Sequence, residues 1–273
     1  MGLGKSYRVI FLLAMVFLFV AVFVSCHSDK KRKAERQTGE IRKEIEEYVY
    51  PLPSVFEVTQ LLNAIEAGYI AGITSNPTSV GAYFTEKGKA VNLGIYAADL
   101  AYVITYNKKP EVQTYFSACE ALVRELDLTR AFRKDLADQI EANTDKKEQL
   151  VEIITGMLQN VYNYLNKQGR AELSYLIVAG TVIEGLYLTT HISENNFQNP
   201  ELIKAILYQK GFLLKLEELM EESKDSEMIK EVYPLVQEIN SIYAMTEGGA
   251  MTEEQVLLLS QTIGKIRGNY VSE

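Results

Sequence analysis

Three acidic residues interrupt segments that are otherwise made of apolar and small residues: Glu66, Asp99 and Glu184. A buried carboxylate is costly unless it is paired or hydrogen-bonded, so each of the three needs a partner. Tyrosines stand three residues from each, and residues at that spacing share a helix face. The candidate ligand-binding set is Glu66, Tyr69, Tyr96, Asp99, Tyr102, Glu184, Tyr187 and His191.

Three kinds of chemistry fit this set. The tyrosine hydroxyls could satisfy the carboxylates in a structural network inside a helical bundle. The same groups could line a pocket for a cationic or hydroxylated ligand, or a carboxylate pair could perform acid–base catalysis. We favour the structural network, because perturbed carboxylates mark function only statistically.

Other catalytic patterns are missing from the sequence. It contains no Glu-x-x-His, no His-Glu-x-x-His, no Gly-x-Ser-x-Gly and no phosphate-binding glycine loop. His191 follows an apolar segment, where a histidine more often interacts with a helix C-terminus than binds a metal. We therefore expect no catalytic residue, no metal and no cofactor, and favour a protein that is not an enzyme.

The elements that position these residues are helices. Apolar residues recur at spacings of three and four along most of the chain, which is typical of amphipathic helices. We predict an all-α fold, a single domain of about eight to ten helices packed around a central apolar helix near 170–191. The predicted helices are 54–73, 78–86, 89–106, 110–126, 128–142, 146–166, 170–191, 200–222, 226–246 and 252–268, with Pro234 kinking or splitting one of them.

Local signals support several of these helix starts. Ser54 with Glu57 and Thr252 with Gln255 have the spacing of capping boxes. Asparagine precedes proline at positions 76–77 and 199–200, which is typical of a cap residue before the first helical position. An Ile-Glu-small-x-Tyr pattern occurs at 65–69 and again at 183–187, so a relation between two halves of the chain stays open.

The segment 173–192 is apolar nearly all round and has three interpretations. It could be the central helix of a bundle, a pair of β-strands rich in Val, Ile and Thr, or a membrane span. Glu184 near its middle would cost about 2.5–3.5 kcal/mol or more in lipid. We favour the central helix.

The N-terminus carries a different signal. Lys5 and Arg8 precede a run from Val9 to Val24 without a charge, and Ser25 and Cys26 follow it. This start resembles a bacterial lipoprotein precursor, with Phe23-Val24-Ser25-Cys26 as its lipobox. The resemblance implies cleavage before Cys26 and acyl chains such as palmitate on that residue. An uncleaved signal anchor is the alternative, although the apolar run is short for a span.

Charge divides the chain further. The first 33 residues hold six Lys and Arg against one Asp, so 22 basic and 35 acidic residues remain and the rest has a net charge of −13. The basic cluster 30–33 would lie near anionic headgroups, whereas the acidic body would be repelled from them and from nucleic acid.

We predict a signal peptide at 1–25, a lipidated polar tether at 26–53 that ends at two prolines, and a helical domain at 54–273.

These observations favour one function over two others. We expect a lipid-anchored protein of the bacterial envelope, on the outer membrane facing the periplasm, that acts as a non-enzymatic scaffold or adaptor for envelope proteins. A ligand-binding lipoprotein with a pocket lined by tyrosines and carboxylates is the alternative, and an enzyme is a third.

Cys119 has no second cysteine to pair with if Cys26 carries lipid, and its helical context favours a buried, inert thiol.

Overall fold

The computed structural model describes residues 67–131, 135–192, 199–246 and 250–271, and every element named below belongs to these ranges. They contain α-helices and two 3₁₀-helices, and no residue within these ranges is in a β-strand. The predicted all-α fold is therefore confirmed. The α-helices are α1 (Glu86–Thr105), α2 (Lys109–Glu125), α3 (Leu136–Ala142), α4 (Lys147–Lys167), α5 (Ala171–His191), α6 (Pro200–Tyr208), α7 (Lys210–Glu221), α8 (Tyr233–Ala244) and α9 (Glu253–Gly268).

Two helices that are apolar on all sides, α1 and α5, pack against each other at the centre. Every residue of α1 from Ala90 to Thr105 is buried, and most of α5 is buried as well. Both lack a polar face because other helices cover them: α2 lies on α1, α4 contacts both, and α6, α7 and α9 pack on α5. The predicted central helix is thus present, and it shares the centre with α1.

Glycines allow α1 and α5 to approach closely. A Cβ placed on Gly180 would lie 1.9 Å from the Val91 carbonyl oxygen, and one on Gly94 would lie 2.0 Å from the Ile177 carbonyl oxygen. No other residue type fits at either position without moving a backbone. Thr181 closes the crossing with a 3.3 Å hydrogen bond from its hydroxyl to the Gly94 carbonyl.

The membrane interpretation of α5 can be compared with this packing. The helix is long and apolar enough to cross a bilayer, with a mean hydropathy of 1.4, but 89% of that apolar window is buried inside the protein. The core helix of a bundle has this composition too, because it must be apolar on every side.

Residues 67–76, which we call the strap, have no regular secondary structure. The prediction of a helix over 54–73 is therefore wrong for its described part, 67–73. Gly72, with φ of 81°, forms a turn in the middle of the strap. A 3₁₀-helix, Pro77–Ala82, follows, with the Asn76 side chain accepting from the Thr78 N–H as predicted for a cap before proline. It replaces the α-helix predicted at 78–86.

Three other predicted helices differ from the structure. The segment 200–222 breaks between α6 and α7 at Gln209, whose backbone ends the first helix and begins the second. The segment 226–246 is helical only from Tyr233, because Pro234 lies in the first turn of α8, where a missing N–H costs nothing. The segment 128–142 becomes a 3₁₀-helix at Thr129–Ala131 and then α3.

Candidate functional site

Asp99 lies in the middle of α1 and is fully buried. Its Oδ2 accepts two hydrogen bonds from Ser75 of the strap, one from the hydroxyl and one of 3.1 Å from the backbone N–H. Its Oδ1 has no hydrogen-bond partner among the described protein groups. Asp99 therefore joins the strap to the central helix through one of its two oxygens.

Glu184 lies in the middle of α5 and is also fully buried. Both of its oxygens accept from the Arg267 guanidinium of α9, with Nε to Oε2 at 2.6 Å and Nη2 to Oε1 at 3.0 Å. A bidentate pair of this kind is the strong geometry for arginine and carboxylate. Arg267 Nη2 also donates to the Ile73 carbonyl, at 3.5 Å, and Ile73 belongs to the strap.

The two carboxyl groups come together across the α1–α5 crossing. Burial raises the pKa of Asp99 well above its usual value, and the charge of the neighbouring Glu184 raises it further. The Ser75 hydrogen bonds and the more distant Arg267 charge oppose that rise. The cluster of Asp99, Glu184 and Arg267 thus has two carboxyl groups and one guanidinium, and the guanidinium is bonded to Glu184.

The tyrosines predicted to bond the carboxylates bond the strap instead. Tyr96 donates to the Asn76 carbonyl at 2.8 Å, and Tyr102 accepts from the Ile70 N–H at 2.9 Å. Two further tyrosines act in the same way. Tyr106 donates to the Ala67 carbonyl at 2.8 Å, and the Tyr115 hydroxyl lies 2.7 Å from both the Thr74 hydroxyl and the Ser75 carbonyl.

The remaining candidates lie at the two ends of this arrangement. Tyr69 belongs to the strap, where its ring stacks on Tyr102 with centroids 5.4 Å apart, and the Lys108 ammonium lies 4.1 Å from its centroid. Tyr187 stacks between the Arg267 guanidinium, 4.1 Å from its centroid, and the His191 ring at 3.9 Å. Of the predicted set, Asp99 and Glu184 converge, and the tyrosines surround them without bonding them in the contacts above.

Some predicted residues fall elsewhere. Glu66 and Cys26 lie outside the described residues, as do the proposed tether and signal peptide. The described part of the repeated pattern differs between its two copies, since 67–70 is irregular and 183–188 is helical. Cys119 is fully buried on α2, and burial raises the pKa of its thiol, as expected for an inert cysteine.

Two residues that bond the buried carboxyl groups, Arg267 and Ser75, were not among the predicted set. Arg267 follows Ile263 by four residues, so it occupies the buried face of α9, and that position was the available signal. Ser75 had no comparable signal, because an irregular segment has no periodicity from which its buried side can be read.

Chemically, the cluster is suited to holding elements together. Asp99 and Glu184 expose no surface, so a substrate cannot touch either carboxylate in this conformation. No group of three or more His, Cys, Asp or Glu side chains within the described ranges could hold a metal ion. No protein-family profile matches the chain, and neither curated proteins nor solved structures include a match.

Proposed function

We propose that this chain is a lipid-anchored scaffold or adaptor of the bacterial envelope, with Cys26 in the membrane and the helical domain free to bind protein partners. The observation that carries the non-enzymatic part is the closed charge pairing in the core. Both oxygens of Glu184 accept from Arg267, and Asp99 binds the strap, so these two buried carboxyl groups serve the fold.

The anchor rests on the sequence alone. The Phe23-Val24-Ser25-Cys26 box follows an uncharged run of the length that a secretory signal uses. Several acyl chains on Cys26 would hold the protein stably, since each buried methylene contributes about 0.8 kcal/mol. The acidic body would then stand away from anionic headgroups.

Acyl labelling in a bacterial host tests the anchor. Wild-type protein should incorporate labelled palmitate and fractionate with membranes, and Cys26→Ala should lose the label and appear in the soluble fraction. Cys119→Ala is the matched control, because it removes the only other cysteine and should leave labelling unchanged. Membrane retention of unlabelled Cys26→Ala would replace the lipoprotein proposal with a signal anchor.

A ligand-binding function is the second candidate, because Asp99 and Glu184 do converge beneath the strap. Native mass spectrometry of the purified protein separates the two. The adaptor is supported if the purified protein has the mass of the chain without a ligand. It is also supported if a photoreactive residue at exposed Phe84 or Leu257 captures envelope proteins. A co-purifying small molecule that Asp99→Asn loses would support ligand binding instead.

A further inference from the structure

The strap depends on side chains for its attachment to the helices. Residues 67–75 have no regular secondary structure, and the contacts that hold them include hydroxyl, carboxyl and guanidinium groups of α1, α2 and α9. Ser75 gives the strap two hydrogen bonds to one buried carboxyl group, because both its backbone N–H and its hydroxyl donate to Asp99. The charge state of Asp99 therefore bears directly on whether the strap stays closed.

The cluster beneath the strap has one positive charge for two carboxyl groups. The Arg267 guanidinium makes both of its short contacts with Glu184, so it does not neutralise Asp99 directly. Two ionised carboxylates side by side in a fully buried site are strongly unfavourable. One proton shared by Asp99 and Glu184 makes the three groups neutral together.

The geometry assigns that proton to a particular oxygen. Asp99 Oδ2 already accepts two hydrogen bonds from Ser75, whereas Oδ1 receives none from the described groups. Glu184 is the neighbouring acid on α5, the helix that packs against α1. A proton on Oδ1 gives that oxygen a donor role toward Glu184 and leaves Oδ2 as the acceptor for Ser75.

We propose that the strap is a proton-dependent latch: it is closed on α1 while Asp99 carries its proton, and loss of that proton releases residues 67–76 from the helices. Ionised Asp99 would repel Glu184 and would be driven toward water. The strap lies against Asp99 through Ser75, and it has no regular secondary structure to hold it in place. Opening there hydrates the carboxylate while the paired helices stay folded. The inference does not depend on lipid at Cys26.

Other titratable groups face Asp99. They are Tyr69 on the strap, Tyr96 and Tyr102 on α1, Tyr115 and Cys119 on α2, Glu184 on α5 and Arg267 on α9. Burial raises the pKa of each of these tyrosines and of the Cys119 thiol, so they stay neutral. Arg267 stays protonated, and Lys108 and Glu111 lie only toward the Tyr69 end.

The direction of the pH dependence follows from the raised pKa of Asp99. In the open form its carboxyl is hydrated and has an ordinary pKa near 3.8, and in the closed form the pKa is well above that. Closure is therefore fully stable below the ordinary value and weakens as pH rises toward the closed-form value. Between the two, the opening equilibrium constant grows by up to about tenfold per pH unit, and above them it is constant.

Hydrogen exchange on the full-length protein in detergent tests the latch. The amides to follow are Ile70 and Ser75, whose N–H groups donate to the Tyr102 hydroxyl and to Asp99 Oδ2. After correction for the intrinsic exchange rate, wild-type protection of both should fall as pH rises above the ordinary carboxyl pKa, by up to about tenfold per unit, until it levels off above the closed-form pKa. Protection in the middle of α5 should not follow it. Pulsed exchange over milliseconds keeps these fast amides measurable.

Two variants make the result decisive. Asp99→Asn copies the protonated acid, with a carbonyl for Ser75 and an amide donor for Glu184, and should give pH-independent protection. Tyr102→Phe removes a strap contact that does not involve Asp99. It should lower Ile70 protection by the same factor at every pH and keep the wild-type slope. Flat wild-type protection would overturn the latch. So would an Asp99→Asn protein with the wild-type slope, and an Asp99→Asn protein that fails to fold leaves the wild-type and Tyr102→Phe slopes to decide.

Discussion

The crossing of α1 and α5 gives the sharpest stability prediction, at Gly180. An alanine Cβ there would lie 1.9 Å from the Val91 carbonyl oxygen and 2.8 Å from its carbon, and ordinary contact begins near 3.4 Å. The difference means that the helix backbones must separate by about 1.5 Å. A gap of 0.5–1 Å already forfeits a quarter to a half of the attraction between packed atoms.

The cost of Gly180→Ala should therefore lie at or beyond the upper end of the range for overpacked cores, about 3 kcal/mol. Alanine returns only about 1 kcal/mol through its better helix propensity. The net loss is then about 2 kcal/mol or more, and since 1 kcal/mol corresponds to about 2–4 °C in Tm for a domain of this size, we expect Tm to fall by at least about 4–8 °C. Thermal unfolding followed by circular dichroism measures this shift.

Gly156 in α4 is the matched control, because a Cβ on it would meet nothing within 4 Å. Gly156→Ala should gain helix propensity without strain and raise Tm by about 2–4 °C. The two identical substitutions should thus have opposite signs. A Gly180→Ala protein as stable as the wild type would refute the close crossing, and an equal loss in Gly156→Ala would show that the effect is not specific to it.

Three further predictions concern the core and the caps. Glu184→Gln leaves Arg267 buried without its counter-charge and should cost about 3–5 kcal/mol in urea unfolding, whereas replacing both by Leu should recover most of that loss; a double variant as unstable as the single one contradicts the pairing. Thr252→Ala removes the capping box with Gln255 and should cost about 1 kcal/mol by the same assay, and no loss would mean that the cap is not formed. Cys119 should resist a thiol reagent at pH 8 until urea unfolds the protein, because its thiol is buried and its pKa is raised; labelling of the native protein would contradict this.

The sequence was informative where a pattern maps directly onto local structure. The apolar stretch ending at His191 predicted α5, and the Thr252–Gln255 spacing predicted a capping box that is present. Pro234 correctly marked a break, because proline is tolerated in the first turn of a helix and not in its interior.

The strap shows where the sequence stops being informative. Residues 67–73 contain apolar residues at helical spacing, yet they form an irregular segment whose backbone groups bond tyrosines of α1. Those bonds join residues 32 and 39 positions apart, and no local pattern encodes them. The pairing of Glu184 with Arg267 joins residues 83 positions apart, so no local pattern predicts it either.

In the proposed latch, the buried carboxyl groups form one neutral unit with Arg267 and serve the fold. The ionisation state of Asp99 tests it most directly. Infrared spectroscopy of the wild-type protein at neutral pH, with carbon-13-labelled aspartate, should show the carbonyl stretch of a protonated, hydrogen-bonded aspartic acid, and Asp99→Asn should lack that band. A wild-type spectrum with only ionised aspartate would contradict the neutral unit and the latch built on it.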